Sequence, residues 1–424
     1  MFKAKKYKLS NGLKVVLVHM PSSPTTTVEV RVETGSKYEN DQERGLSHFL
    51  EHMCFKGTKK LPSAQAVHNA LDALGAVSNA FTSTEATGYW AKASAKNVLP
   101  IIDIVSDIYQ NAIFKDEDVK KESGVIIEEI NMYEDQPQAI AGELFDREMH
   151  GNQPAGLPVI GTKQSVSSFK AEDFYNYRAK HYVAEATTVV VSGSFDEKRV
   201  LNKIKESFKD APTRRKAGKP RTTIKHRGAR VVHRHKETDQ AHLVLGFRSY
   251  PYTDKRNTVV SVIRGILSSG MSSRLFHKLR EELGICYYVY ATNSSSTDHG
   301  EFAVVSGVDP KRIDVAVKAI VEELQRLKSE LVPNDELERV KHSMISKMYM
   351  ALETSDNVLE YFSTRATFYG DLKTPQERER EIKAVTAKQI QEEAKRLFNN
   401  KDRLLVVVSR EANMPKLKKA LASK

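Results

Sequence analysis

The segment GLSHFLEHM at residues 45–53 decides how the rest of the chain is interpreted. In a helix, His48 and His52 lie one turn apart on the same face, so their imidazoles can bind one metal ion. Glu51 borders this face, within reach of a metal-bound water, in the order H-x-x-E-H. The intervening residues are apolar and predict a buried helix, in which two histidines and a carboxylate are costly without a compensating ion. Such a short motif also arises by chance, so a third ligand and a substrate site have to come from elsewhere in the chain.

Length and composition are those of a globular chain with several domains. The 424 residues predict two to four domains, and no apolar run approaches the roughly 18 residues that a membrane span needs. The N-terminal residues have neither the apolar core of a signal peptide nor an Arg-rich transit sequence, so we expect a cytoplasmic protein. The two cysteines, Cys54 and Cys286, provide no disulfide framework. Cys54 points away from the face of His52 and is interpreted as a small core residue.

The net charge of +12 is concentrated in one segment. Residues 211–230 contain eight Lys and Arg residues, two prolines, two glycines and no acidic residue. This composition is typical of a solvated linker. It argues against a nucleic-acid-binding surface, because no zinc-finger spacing, aromatic RNA-binding stretch or P-loop accompanies it. We therefore divide the chain into an N-terminal metal-binding domain at 1–210, a basic linker at 211–230 and a C-terminal domain at 231–424.

A second helix, predicted over residues 116–133, carries further carboxylates. It begins with acidic residues, as the helix dipole prefers. Glu122 and Glu129 fall two turns apart on a face that also holds Val125, Ile126 and Tyr133. Two carboxylates on an otherwise apolar face are candidates for metal ligation, although surface charges bordering an apolar stripe give the same pattern.

The second half of the chain repeats the apolar pattern of the first half without its metal-binding residues. When Gly57 is aligned with Gly270, the motif residues His48, Glu51 and His52 are replaced, in that order, by Ser261, Arg264 and Gly265. The C-terminal domain is therefore predicted to have the same fold and to lack metal ligands. The coinciding apolar pairs are Leu46 with Val259, Phe49 with Val262, Leu50 with Ile263 and Met53 with Ile266.

Four segments carry a family resemblance: GLSHFLEHMCFKGT at 45–58, NAFT at 79–82, GLPVIGT at 156–162 and SSRLF at 272–276. Over nearly its whole length the chain resembles the pitrilysin or insulinase-type zinc peptidases, and among them mitochondrial processing peptidase and its bacterial relatives. The resemblance implies an α+β fold of two homologous mixed α/β sandwich domains. Each would pack helices on a largely antiparallel sheet, and together they would form half of a clamshell.

The resemblance also implies a third zinc ligand. Glu128 stands 76 and Glu129 stands 77 residues after His52, the interval at which the family carries its ligand glutamate. The family has a further glutamate seven residues before that ligand, and Glu122 stands seven residues before Glu129, whereas Lys121 stands seven before Glu128. Glu129 is therefore the expected ligand, and Glu128 is the alternative.

The implied metal is one zinc ion per chain, held by His48, His52 and Glu129 with a fourth position open to water. Glu122 would orient a histidine ring. Glu51 would be the general base of a zinc-dependent endopeptidase, in which zinc-activated water attacks a peptide bond.

Other parts of the chain would complete the site. The family's second half contributes an arginine and a tyrosine seven residues apart, which correspond to Arg280 and Tyr287 here, with Tyr288 as the alternative to Tyr287. The arginine would hold a substrate carbonyl, and the tyrosine would donate a hydrogen bond to the oxyanion. Residues 79–81, Asn79, Ala80 and Phe81, match an edge strand to which an extended peptide would add by backbone hydrogen bonds.

The expected substrates are peptides or unfolded polypeptide segments, with no nucleic acid and no membrane as partner. We expect a homodimer, since the chain has both the zinc motif and the Arg280/Tyr287 pair, whereas family heterodimers pair a zinc subunit with one that lacks the motif. A heterodimer with a related subunit remains open. The alternative function is a non-catalytic scaffold subunit of a heterodimeric peptidase.

Overall fold

The computed structural model describes residues 3–399 and 401–423. Residues 1, 2, 400 and 424, which the predicted domain bounds include, lie outside the described residues. The strands are β1 (Lys3–Lys8), β2 (Lys14–His19), β3 (Thr25–Val32), β4 (Val77–Thr82), β5 (Thr87–Ser94), β6 (Thr187–Gly193), β7 (Arg230–His235), β8 (Ala241–Ser249), β9 (Cys286–Ser295), β10 (Gly300–Val308) and β11 (Leu404–Ser409).

Helices connect these strands and cover the sheets. They are α1 (Leu46–Met53), α2 (Ala64–Asp72), α3 (Val98–Asn111), α4 (Asp116–Asp135), α5 (Pro137–His150), α6 (Lys163–Ser168), α7 (Ala171–His181), α8 (Glu197–Ser207), α9 (Asn257–Ser268), α10 (Arg274–Phe276), α11 (Ile313–Ser329), α12 (Asn334–Ala351), α13 (Ser355–Thr364), α14 (Pro375–Lys383), α15 (Ala387–Leu397) and α16 (Met414–Leu421). Within 3–399 and 401–423, none of the helices combines the length and the apolar character needed to cross a bilayer.

Unit 1 is a compact body formed by the residues up to Asn131, Leu157–Pro220 and Met350–Thr374. Its sheet has the strand order β1-β2-β6-β3-β5-β4. Only the β2–β6 pair is parallel among these neighbours, and the other four pairs are antiparallel. Strand β4 lies at one end of the sheet, so one of its edges has no partner strand in the sheet.

Unit 2 is formed by Met132–Gly156, Arg221–Tyr349 and the residues from Pro375 onward. Its sheet has the order β7-β11-β8-β10-β9, with β7–β11 parallel and the other pairs antiparallel. Without the extra strand β1, both sheets arrange their strands in the sequence order first, fifth, second, fourth, third. Two mixed α/β units with largely antiparallel sheets confirm the predicted fold class.

The internal repeat extends to the helices. With β1 again left out of the count, α1 lies between the second and third strands of unit 1, which are β3 and β4. Helix α9 lies between the second and third strands of unit 2, which are β8 and β9. The apolar residues that the sequence alignment pairs are buried in both helices, apart from Val259, which is half-buried. Helices α4 and α12 are likewise counterparts, because each follows the fourth strand and one intervening helix.

The two units are not contiguous in the chain and therefore differ from the predicted domains at 1–210 and 231–424. Helix α5 belongs to unit 2, because Phe145 and Met149 pack with Val244 of β8 and Val406 of β11 in one apolar cluster. A side chain at Gly246 would bring its Cβ within 2.3 Å of the Phe145 ring, so this glycine makes room for the helix.

Helix α13 lies within the predicted C-terminal domain but belongs to unit 1. The Ser355 hydroxyl lies 2.9 Å from the hydroxyls of Thr25 and Thr27 on β3, and Arg31 donates to Glu360 at 2.6 Å. Helical periodicity predicts which side of a helix is buried but not which sheet the helix covers, so the domain bounds predicted from sequence are contiguous. Residues 211–229 contain neither helix nor strand, as expected of the predicted linker.

Helix α1 is anchored at its N-terminus by a buried carboxylate. Gly45 precedes the helix with φ of 88°, a backbone conformation that favours glycine. The two carboxylate oxygens of Glu39 accept hydrogen bonds from the backbone N–H groups of Gly45 and Ser47, both at 2.8 Å. The hydroxyl of Ser47 lies 2.7 Å from that of Tyr177. These contacts fix the start of the helix that carries the H-x-x-E-H motif.

Glu39 makes the stability of unit 1 depend on pH. Burial raises its pKa to about 7, although the hydrogen bonds from Ser47 and Gly45 favour the carboxylate. Because the pKa in the fold lies above the ordinary value of 4.5, the neutral carboxyl stabilises the fold below that value, and its contribution is lost as the pH rises through about 7. Relative to Glu39→Gln, the wild-type free energy of unfolding should fall by about 2–3 kcal/mol between about pH 5 and 8.

Urea unfolding across this pH range checks the prediction. Asp41→Asn is the matched control, since Asp41 lies in the same loop with its side chain 83% exposed. It should keep the wild-type pH dependence. Parallel curves for Glu39→Gln and the wild type would contradict the role given to Glu39.

Candidate metal centre

The side chains of His48, His52 and Glu129 converge within unit 1. The Nε2 atoms of the two histidines each lie 3.8 Å from Oε2 of Glu129, and the ring centroids are 4.7 Å apart. One ligand atom from each residue lies within 4.8 Å of those of the other two. Two imidazole nitrogens and one carboxylate oxygen form a donor set that suits Zn²⁺ and leaves a position open. The residues present therefore fit the metal that the motif predicts.

Helix α4 supplies the third side chain. Glu129 faces the histidines of α1, whereas Glu128 is exposed. The predicted apolar face of this helix is partly wrong, because Val125 is 52% and Tyr133 is 37% exposed. The buried stripe is displaced from the predicted face by about one residue and consists of Val119, Glu122, Ile126 and Ile130. Glu129 therefore lies at the border of the stripe, where its carboxylate is accessible.

Glu122 and Lys56 hold His52 in place. Nδ1 of His52 lies 2.9 Å from Oε1 of Glu122, and Nζ of Lys56 contacts Oε2 of the same carboxylate. Burial raises the pKa of Glu122, but the hydrogen bonds with His52 and Lys56 and the charges of both outweigh burial and keep it below its ordinary value. An ionised Glu122 accepts a hydrogen bond from Nδ1 and leaves Nε2 of His52 for the metal.

The two histidines differ in their electrostatic environment. Burial, and then the charge of His52, lower the pKa of His48 to about 4, so its imidazole is neutral and able to bind a metal at neutral pH. Burial also lowers the pKa of His52, but its hydrogen bond to Glu122 and the charges of Glu51, Glu122 and Glu129 outweigh burial and raise it overall. This accumulation of carboxylates around His52 favours a positive charge at the site, as a divalent ion would provide.

Glu51 lies beside the three converging side chains and has one fixed oxygen. The hydroxyl of Thr82 donates to its Oε2 at 2.6 Å, which leaves Oε1 without that constraint. Burial raises the pKa of Glu51, whereas the Thr82 hydrogen bond and the charge of His52 lower it less. A half-buried carboxylate whose pKa is raised above its ordinary value is suited to accept and return a proton.

Thr82 connects this carboxylate to the edge strand β4. Asn79, Ala80 and Phe81 precede it on the same strand, which pairs on one side with β5. The Asn79 side chain accepts a hydrogen bond from the backbone N–H of Ala80 at 2.9 Å, and the Arg31 guanidinium lies 5.0 Å from the Phe81 ring centroid. An extended peptide added at the free edge of β4 would run towards the carboxylate of α1.

Sequence reasoning missed Thr82 and Lys56. Thr82 directly follows the residues that match the expected edge strand, but no pattern in the sequence predicts that its hydroxyl contacts Glu51. Lys56 stands four residues after His52, an interval that suggests one helical turn, yet α1 ends at Met53. Cys54 is fully buried in the core of unit 1, as predicted, and burial raises the pKa of its thiol to about 11.

Unit 2 carries the predicted arginine and tyrosines. Tyr287 is 73% exposed at the start of β9, and Arg280 donates to its backbone oxygen at 3.2 Å while its guanidinium lies 5.8 Å from the Tyr287 ring centroid. The hydroxyl of Tyr288 lies 2.9 Å from Nδ1 of His242. Of the two neighbouring tyrosines, Tyr287 is the one whose ring is presented to solvent.

Two family models match successive parts of the chain. Residues 14–163 match the family described as "Insulinase (Peptidase family M16)", and residues 168–344 match "Peptidase M16 inactive domain". The second match covers the half in which Ser261, Arg264 and Gly265 replace the metal-binding motif.

Individual relatives span nearly the whole chain. It is 32% identical to the "Uncharacterized zinc protease YmxG" of Bacillus subtilis, over 97% of this chain and 99% of that protein. It is also 32% identical to an "Uncharacterized zinc protease" of Rickettsia felis, over 93% of this chain and 94% of that protein. In fold, it is similar to a protease from Helicobacter pylori, with a TM-score of 0.90 at 22% identity over 96% of this chain and 99% of that one.

Replacing one glutamate of α4 tests which carboxylate binds metal. Glu129→Gln should lower the affinity for Zn²⁺ by more than the roughly 10- to 100-fold that follows loss of an outer-shell partner. Glu128→Gln, a change of the same chemistry one residue away on the exposed side, should leave the affinity unchanged. Competition with a zinc-binding dye measures both. A larger loss in Glu128→Gln would assign the ligand to Glu128.

Proposed function

Since the chain belongs to peptidase family M16, the insulinase family, we propose that it is a zinc-dependent endopeptidase that hydrolyses peptides or unfolded polypeptide segments. The observation that carries this proposal is the convergence of His48, His52 and Glu129 next to Glu51, whose second oxygen is fixed from the edge strand by Thr82. Metal donors, a buried carboxylate and an open strand edge are the three parts that peptide-bond hydrolysis needs.

The proposed chemistry divides between the ion and the side chains. Zinc, when bound, supplies a Lewis acid for the peptide carbonyl and the attacking water. His48, His52 and Glu129 hold it, one ion in this site, while Glu122 keeps the His52 ring in the orientation that exposes Nε2. Glu51 takes a proton from the attacking water and later gives it to the nitrogen of the leaving amine. Because Thr82 occupies Oε2, the proton transfers run through Oε1.

The edge of β4 is the proposed substrate platform. A peptide that pairs with Asn79, Ala80 and Phe81 is held through its backbone, so its side chains contribute little to recognition. Pairing also requires an extended chain, which folded proteins rarely expose. This geometry supports peptides and unfolded segments as substrates.

Unit 2 would supply electrostatic stabilisation. We assign to Tyr287 the hydrogen bond to the oxyanion and to Arg280 the contact with a substrate carbonyl, as the family resemblance implies. The exposure of Tyr287 supports its choice over Tyr288, whose hydroxyl already contacts His242.

Two further predictions concern assembly and location. A homodimer remains the simpler expectation, because this one chain has the zinc set and the Arg280/Tyr287 pair, and a cytoplasmic location remains a prediction from sequence. The alternative, a scaffold subunit without activity, would require a separate subunit with the catalytic site.

Replacing the general base separates metal binding from catalysis. Glu51→Gln should retain zinc, because Glu51 is not among the three converging ligands, and should lose at least about 100-fold in kcat, since general acid–base catalysis contributes roughly 10²–10⁴-fold. Zinc content and cleavage of a quenched fluorescent peptide are the measurements.

Glu128→Gln is the matched control and should retain both zinc and activity. Equal turnover by Glu51→Gln and the wild type would reject the mechanism. A wild-type chain with neither zinc nor cleavage would favour the scaffold function.

The two adjacent tyrosines offer a second paired test. Tyr287→Phe should lower kcat by roughly 10²- to 10³-fold with little change in KM, the effect of losing one oxyanion donor. Tyr288→Phe removes the hydroxyl that contacts His242 and Gln138 and should leave kcat near the wild-type value. Steady-state kinetics with the same peptide decide between them, and a larger effect in Tyr288→Phe would move the role to that residue.

A further inference from the structure

Unit 2 contains a second group of histidine and carboxylate side chains. His150 is the last residue of α5, His299 lies in the turn between β9 and β10, and Glu301 lies on β10. One ligand atom from each of the three lies within 4.8 Å of those of the other two. We propose that His150, His299 and Glu301 form a second metal site, which binds a divalent transition-metal ion such as Zn²⁺ and links α5 to the β9–β10 turn.

The three side chains are withdrawn from water. The His150 side chain is 0% exposed, its Nε2 contacts Oε1 of Glu301, and its ring centroid lies 4.5 Å from that of His299. Nδ1 of His150 is also buried, with no hydrogen-bond partner among the described residues. Burying two imidazoles and a carboxylate together is costly unless a charge compensates them. Imidazole nitrogen and carboxylate oxygen are ligands that suit Zn²⁺ and its neighbours in the first transition series.

His299 is oriented as a metal-binding histidine would be. Its Nδ1 lies 2.7 Å from Oδ1 of Asp298, and the backbone N–H of Thr222 donates to Oδ2 of the same aspartate at 2.8 Å. A carboxylate on one ring nitrogen fixes the tautomer and leaves the other nitrogen, Nε2, for an ion. The turn itself is held by a hydrogen bond from the Ser296 N–H to the His299 oxygen at 2.8 Å.

Asp146 would complete the coordination. It precedes His150 by one helical turn, the interval that also separates His48 from His52, and its carboxyl contacts Glu301. Four protein ligands are typical of a structural zinc site, in which the ion joins segments that are distant in sequence.

A metal-free explanation exists and makes different predictions. Protonated His150 and ionised Glu301 could form an ion pair, and Arg248 stands opposite Glu301 in the β8–β10 pairing. The Arg248 guanidinium, however, donates to the Met149 oxygen at 2.7 Å and lies 3.5 Å from Asp402. Its direct contacts therefore go to other partners, although its charge also interacts with Glu301, and a group that contacts both histidines and the carboxylate can only be a proton or a metal ion.

Zinc stoichiometry distinguishes the two explanations. The His48→Gln/His52→Gln double variant of the full chain removes the unit 1 site, so that zinc binding no longer depends on the proposed catalytic centre. After chelator treatment and dialysis against micromolar Zn²⁺, it should retain about one ion per chain, whereas the wild type should hold about two. Adding His150→Gln or Glu301→Gln to the double variant should remove the remaining ion. His235→Gln, which changes an exposed histidine of β7, is the matched control and should not.

Two measurements on the same samples keep the result independent of folding defects. Co²⁺ added to the double variant should give the visible absorption of a four-coordinate nitrogen–oxygen site, and Zn²⁺ should raise its melting temperature. The proposal is overturned if the wild type binds only one ion, if the double variant binds none, or if its zinc survives both His150→Gln and Glu301→Gln.

Discussion

Unit 1 depends on the burial of an apolar helix that also carries polar side chains. Leu46, Phe49, Leu50 and Met53 are each at most 2% exposed, so α1 cannot turn its polar face towards bulk water. Each polar group therefore needs a local partner, since an unpaired one costs about 1–3 kcal/mol. The buried carboxylate of Glu39 accepts from the N–H groups at the start of the helix, Glu122 of α4 is the partner of His52, and Thr82 of β4 is the partner of Glu51. Nδ1 of His48 is buried without a hydrogen-bond partner among the described residues, so α4 and β4 satisfy most but not all of the polar groups of the motif.

Helices α5 and α13 show the same requirement, each on the face of a sheet that lies opposite the main core of its unit. Residues of β3 alternate between the core shared with α1 and a face that carries Thr27 and Arg31. That face can be buried only under a helix with complementary groups, and α13 brings Ser355 and Glu360. The corresponding face in unit 2 is apolar at Val244 and Val406, and α5 covers it with Phe145. The two covering helices differ in chemistry because the faces that they cover differ.

Local patterns in the sequence predicted local structure well. The helix predicted around the H-x-x-E-H motif and the helix predicted over residues 116–133 are observed as α1 and α4, because apolar spacing and acidic residues at a helix start are patterns within a few residues of one another. The family resemblance favoured Glu129 over Glu128 through its interval from Glu122, and in the structure the Glu129 carboxylate lies with His48 and His52. Three features were not predicted: the packing of α5 in unit 2, the hydrogen bond of Thr82 and the contact of His150 with His299. Each of them joins segments that only the tertiary fold brings together. The misplaced face of α4 has another cause: Val125 fits an apolar stripe but lies where no other element covers it.

The loss of metal ligands in the second half has a packing counterpart. Gly265 on α9 takes the position of His52 on α1, and a Cβ there would lie 2.8 Å from Val340 and 2.9 Å from Met344. Both residues belong to α12, the counterpart of α4. In unit 1 the space between these helices is occupied by imidazole and carboxylate groups, whereas in unit 2 apolar side chains of α12 close against the backbone of α9. A histidine at Gly265 would have no space without moving α12, because interiors packed at this density resist even small additions. Unit 2 therefore has close helix packing at the position where unit 1 has an open, polar site. The packing of its core leaves no space for metal ligands at that position.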